Sequence, residues 1–188
     1  MRKLLLAGIA GMMLAINTGC LVPIYSGDRT RRAQELIWTS EDLSLVGRYS
    51  CEWDKSFILM ADIDFSGYTG LEFKQIGTDP SHPFTGIFNG NDHTLSHLTT
   101  TQYNDNAGIF GYVAQPGQVQ DLYIDNPIIL TPQGYDTKGG LVGYNDGGTI
   151  SGCHITFLAS NEGFKGGLVG INDGLGTISD CSSSGSLR

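Results

Sequence analysis

The chain has 188 residues, enough for one domain with room for a leader. Hydrophobic residues make up 40% and charged residues 16%, against about 25% charged in an average domain, which excludes a polar disordered tail. Eleven Lys and Arg against 19 Asp and Glu give a formal charge of −8, so the basic face that a general nucleic-acid binder needs is lacking, and no nucleic-acid partner is expected.

Residues 1–19 read as a signal peptide. Arg2 and Lys3 make a positive start, and Leu4 to Ile16 is an uncharged, mostly apolar run. That run is too short to span a bilayer comfortably, which takes about 20 residues. Gly19-Cys20 closes it, and a small residue before a cysteine at this place resembles the lipobox of bacterial lipoproteins. The resemblance implies that Cys20 carries lipid, becomes the new N-terminus and ties the chain to a membrane. Plain secretion is the alternative. Either way the protein is expected to be exported, in the cell envelope or on the outer surface. Losing Arg2 and Lys3 leaves the remainder more acidic still, which keeps it off anionic envelope polymers.

Residues 20–37 read as a tether, with Pro23, Gly27 and the basic cluster Arg29, Arg31 and Arg32. Residues 38–83 read as an N-terminal cap and first strands. Thr39-Ser40-Glu41-Asp42 has a hydroxyl cap followed by acids, the pattern of a helix start. Leu43 and Val46 would share its buried face, and Gly47 would end it. Phe57 to Met60 predicts a short apolar strand, and Asp62 to Phe65 alternates into a Ser66-Gly67 turn.

Residues 84–188 repeat themselves. The run from Gly139 to Cys153 aligns with the run from Gly166 to Cys181 with one insertion, their starts 27 residues apart. A looser copy starts at Ala107 and a still looser one at Phe84. Such a period means stacked units. Helical periodicity is missing, so the units are strands. Stacked as coils, each covers the apolar side of the next. The 27 glycines, about twice ordinary usage, suit corners and close backbone approaches. Asn-Asp-Gly suits tight turns. The fold class expected is all-β: a short solenoid of about four coils, roughly 20 Å tall at about 4.8 Å per strand, with a small helix and strand cap at its N-terminal end. Ser182 to Arg188 follows a repeat directly with no cap pattern, so either a partner covers that end or the chain is a shortened relative of something longer.

These residues resemble the GLUG-motif family of bacterial envelope proteins. The motif, Gly-Leu-apolar-Gly, is matched by Gly140-Leu141-Val142-Gly143 and Gly167-Leu168-Val169-Gly170, with Gly108-Ile109-Phe110-Gly111 as a variant. The resemblance also takes in Ala61-Asp62-Ile63-Asp64, Ile76-Gly77-Thr78, Phe84 to Gly90 and His93-Thr94-Leu95, and covers about residues 39–182. It implies a right-handed parallel β-helix related to the pectin-lyase shape, in surface and adhesin-like proteins. Fold alone does not imply function.

Candidate chemistry is sparse. His93 and His97 would share a strand face and with His82 could bind zinc; turn and exposed rung positions are the plainer reading. Asp62 and Asp64 are spaced as a carboxylate pair or calcium ligands. The Asn89–Asp92, Asn145–Asp146 and Asn172–Asp173 turns could stack as a calcium ladder, or be solvated turns. Gly-x-Ser-x-Gly and His-Glu-x-x-His are absent, and Lys74, Lys138 and Lys165 are scattered. No catalytic residue, metal site or cofactor is therefore expected. Besides Cys20 there are Cys51, Cys153 and Cys181, an odd number. Cys153 and Cys181 hold matching repeat positions with parallel Cβ directions, which predicts a buried thiol ladder rather than a bridge. Tyr25, Tyr68, Tyr103, Tyr112, Tyr123, Tyr135 and Tyr144, with Trp38 and Trp53, either stack on sugars or fill core and edges.

Three functions follow as expectations. The first is a non-catalytic surface module for adhesion or for binding an extracellular glycan or protein. The second is a pectin-lyase-like carbohydrate-active enzyme or its remnant. The third is a structural piece that pairs through its open β-helix end.

Overall fold

The computed structural model describes residues 14–17, 20–23, 34–68, 73–102, 104–130, 137–158 and 166–186. The chain divides into two compact units, residues 1–32 and 33–188. In the first, β1 (Leu14–Asn17) pairs antiparallel with β2 (Cys20–Pro23), with Asn17 opposite Cys20. The end of the apolar run and the cysteine expected to carry lipid thus lie on this strand pair. The rest of the leader, and the tether from 24 to 33, lie outside the described residues.

The second unit is a parallel β-solenoid of about four turns with one small helix near its N-terminus. It opens with β3 (Glu35–Ile37) and α1 (Ser40–Arg48), then a single 3-10 turn at Ser50–Glu52. The first coil carries β4 (Ser56–Leu59) and β5 (Ile63–Asp64). The second carries β6 (Ile87–Ser96), β7 (Thr99–Thr101), β8 (Asn106–Ala107) and β9 (Phe110–Ala114). The third carries β10 (Gln118–Asp125), β11 (Ile128–Leu130), β12 (Thr137–Lys138) and β13 (Val142–Asp146). The fourth carries β14 (Thr149–Ser151), β15 (His154–Leu158) and β16 (Val169–Asp173). A further part-coil holds β17 (Thr177–Ser179) and β18 (Ser182–Ser186).

Register ties these coils together. Ser56, Ile87, Gln118, Thr149 and Thr177 follow one another across parallel strands. The first three steps are 31 residues and the last is 28, so the 27-residue repeat of the best-matched pair belongs to a shortened coil. The parallel stacking also reaches back before residue 84, since β3 pairs β4 and β4 pairs β6.

Inward columns make the core. Phe57, Phe88, Val119 and Ile150 stack in register and are buried, as are Ile63, Leu95, Ile124 and Ile155. Phe84 and Phe88 pack on Phe110 with ring centroids 5.2 and 5.3 Å apart. Each such side chain contributes about 1.5–3 kcal/mol when fully buried.

The helix begins as the sequence predicts. The Asp42 N–H donates to Thr39 Oγ1 at 3.2 Å and the Thr39 N–H to Asp42 Oδ2 at 3.1 Å, a capping box. Leu43 and Val46 face the core. Gly47 does not end the helix: it lies inside it, and the helix runs to Arg48. A Cβ on Gly47 would sit 1.9 Å from the Lys74 carbonyl oxygen. Its glycine serves a close backbone approach, not a C-terminal turn.

The motif glycines have the same purpose. A Cβ on Gly143 would lie 2.6 Å from the Asn106 backbone, and one on Gly111 2.4 Å from the Gly77 carbonyl oxygen. Positive φ falls largely to other residues. Asn91 and Asp92 in the second coil, Asp121 in the third, Gly152 in the fourth and Asp180 in the last take left-handed φ of 50–60° at one stacked corner. Asn and Asp tolerate that region.

Candidate functional site

The long sheet that runs from β3 to β17 and β18 offers one outward face. On its second half, Thr94, Tyr123, His154 and Ser182 form one column and Asp64, Ser96, Asp125, Thr156 and Ser184 the next. Tyr123 is 39% exposed. Its ring centroid lies 5.0 Å from that of His154 on the next coil. His154 Nδ1 contacts Ser182 Oγ at 2.8 Å, and Thr156 Oγ1 donates to Asp125 Oδ1 at 2.6 Å. The face thus sets a half-exposed tyrosine, its ring tilted 30° to that of His154, among hydroxyls and a carboxylate on neighbouring strands.

The candidate metal residues are not brought together. His82 pairs with Asp79 at 3.4 Å, His93 with Asp62 at 3.2 Å and His97 with Asp64 at 2.8 Å. At about 3.3 Å per strand residue, His93 and His97 stand roughly 13 Å apart. Among the described residues no group of three or more His, Cys, Asp or Glu is placed to hold a metal.

Asp62 and Asp64 each turn to a histidine of the second coil. The Thr94 N–H and then His93 hold Asp62 below the ordinary carboxylate range. The Ser66 N–H, then His97 and the Ser66 hydroxyl, bring Asp64 down to about 2. A general acid needs the opposite shift. Lys74 precedes Ile76, which bridges Phe110, and Lys138 pairs with Ala107. Lys74 thus leads to the Ile76–Phe110 bridge and Lys138 lies on β12, while Asp64 lies on β5 in another sheet. Lys165 lies outside the described residues.

The Asn-Asp-Gly turns stack as a hydrogen-bonded ladder. Asn145, fully buried, donates from Nδ2 to Asn172 Oδ1 at 2.7 Å and to the Gly148 carbonyl at 3.1 Å. Asn172 donates to the Gly176 carbonyl at 2.8 Å. The aspartates beside them serve the tyrosines. Tyr112 and Tyr144 stack at 5.0 Å with planes 6° apart. Tyr112 donates to Asp146 Oδ2 at 2.8 Å and Tyr144 to Asp173 Oδ2 at 3.0 Å, each on the following coil. Burial first, then the Asp146 hydrogen bond, raises the Tyr112 hydroxyl; the Asp173 hydrogen bond raises that of Tyr144. This column and the His–Asp pairs were not read from the sequence. Apart from His82–Asp79, which is local, their partners lie 29–34 residues apart, one coil on, and the coil length is the signal that would have found them.

The motif residues lead into the sheet of β9, β13 and β16, where Ile109, Phe110, Leu141, Val142 and Leu168 are buried. Their role is packing.

A solenoid of repeated parallel coils with side-chain ladders is the architecture of a β-helix repeat protein. The GLUG motif family matches residues 166–188, and the chain is a GLUG-motif β-helix repeat protein. It is similar to halomucin of Haloquadratum walsbyi, 32% identical over 128 residues. The match takes in 67% of this chain and about 1% of the length of that relative. No solved structure matches the chain.

Proposed function

We propose that this chain is a non-catalytic, surface-exposed module that binds an extracellular glycan through the outward face of its long sheet. The observation that carries it is the Tyr123–His154 platform among hydroxyls, since an exposed ring on rigid strands stacks on a sugar face at low entropic cost. The similarity to a protein named halomucin supports a surface setting, and the leader supports export with a lipid anchor on Cys20. No cofactor is invoked, calcium included.

The test is a pull-down of the purified chain on insoluble polysaccharides, with and without calcium, while the supernatant is assayed for unsaturated sugars. Binding without products, lost in Tyr123→Ala, is the expected result. Released products would make the chain a lyase instead, and binding unchanged in Tyr123→Ala would move the site elsewhere. Lipid label retained in Cys20→Ala would refute the anchor.

A second reading has its own observation. Ile171, Leu175 and Ile178, on the last turns of the stack, are 37%, 96% and 42% exposed, and Ile178 continues the inward column of Ile150. Such a face favours assembly by stacking on another β-coil. Light scattering decides: mass that rises with concentration supports it, and a strict monomer refutes it.

A further inference from the structure

Cys153 and Cys181 are free thiols. They follow matching corner residues, Gly152 and Asp180, and precede the paired residues His154 and Ser182. The Cys153 N–H points at Cys181 Sγ, 3.4 Å away, and the Ser182 N–H donates to the Cys153 carbonyl at 3.0 Å. Neighbouring strands at about 4.8 Å place the two Cα atoms inside the range that a disulfide spans, about 4.4–6.8 Å. The thiols rest in the same way. Cys153 Sγ sits 3.3 Å from the Ser151 carbonyl, and Cys181 Sγ 3.1 Å from that of Ser179. They differ in access: Cys153 is buried and Cys181 only partly so.

We propose that Cys153 and Cys181 are a reversible redox clamp between the last two coils, closed by thiol–disulfide exchange with a small-molecule disulfide. The Cys181 thiolate attacks one sulfur of that disulfide, whose S–S bond breaks and releases one thiol. The Cys153 sulfur attacks Cys181 Sγ, and its proton passes to the departing thiolate. The mixed S–S bond breaks and the second thiol leaves. Two electrons pass from the cysteine pair to the small disulfide, and the two protons end on the thiols it becomes.

The geometry sets the order and the character of these steps. Only Cys181 is reached from solvent, so it takes the first bond. Burial pushes the Cys153 thiol up to about 12, with Cys181 beside it adding to the effect, so the closing step is slow at neutral pH and faster in base. In-register strands aim the two Cβ atoms the same way. That strains the bridge and makes it easy to reduce, as regulatory disulfides are.

The test uses the full chain with oxidised glutathione at neutral pH and at about pH 9, followed by alkylation and peptide mass mapping. The expected result is a glutathione adduct on Cys181 that converts to a Cys153–Cys181 cross-link, faster at the higher pH and reversed by dithiothreitol. Cys153→Ser should stop at the adduct, and Cys181→Ser should leave Cys153 unmodified. An adduct on wild-type Cys181 that never resolves, two unreacted thiols at both pH values, or modified Cys153 in Cys181→Ser would each overturn the proposal.

Discussion

Gly47 shows how a single residue is read wrongly in isolation. A glycine after an apolar helical face marks a helix end by the usual rule. Here the constraint is tertiary: the Lys74 carbonyl lies where a side chain would go. Two effects of opposite sign therefore meet at one position. Inside a helix, alanine is better than glycine by roughly 0.5–1 kcal/mol. Overpacking against backbone costs about 1–3 kcal/mol. Backbone cannot swing aside as a flexible side chain does, so the second effect should win. Gly47→Ala should lower the urea midpoint at unchanged m. A midpoint that rises would mean that the Lys74 segment moves away freely.

At the scale of elements, β5 is the shortest partner in the long sheet, two residues held against β6. The pairs Asp62–His93 and Asp64–His97 flank it and join the first coil to the second. Both carboxylates have folded pKa values below the ordinary value, through the Thr94 and Ser66 amides first and the imidazoles next. A lowered folded pKa gives stability that is present above the unfolded value and lost as pH falls toward the folded one. The thermal midpoint should therefore drop between about pH 4 and about pH 2, by a small amount because the groups are exposed and screened. Asp62→Asn with Asp64→Asn should flatten that drop, and an equal slope in the variant would remove the pairs from the account. The same elements show what the sequence discloses. The capping box and the later motif copies were legible because their signals are local. The strands β4 and β5 were legible from their apolar alternation, but their stacking as a first coil was not, because they lack the motif glycines. The His–Asp pairs were not, because contacts one coil away have no local trace, and each of the tandem histidines turns to an aspartate of the first coil.

For the whole molecule, stacking makes stability a sum of coil terms and interface terms between neighbours. The same residue type in the same column should then matter by its place in the stack. Ile150 and Ile178 are register partners, both isoleucines, both flanked by Thr and Ser. Ile150 is fully buried with coils on either side; Ile178 is 42% exposed. Ile150→Ala leaves a cavity in the middle of the column and should cost about 2–5 kcal/mol. Ile178→Ala removes a side chain already partly in water and should cost about 1 kcal/mol or less. Chemical denaturation of the two variants measures the difference directly. Equal costs would mean that Ile178 is covered in solution, which would favour assembly through the last coil over a module that acts alone. A large gap would leave that edge in water and return the weight to the outward face around Tyr123.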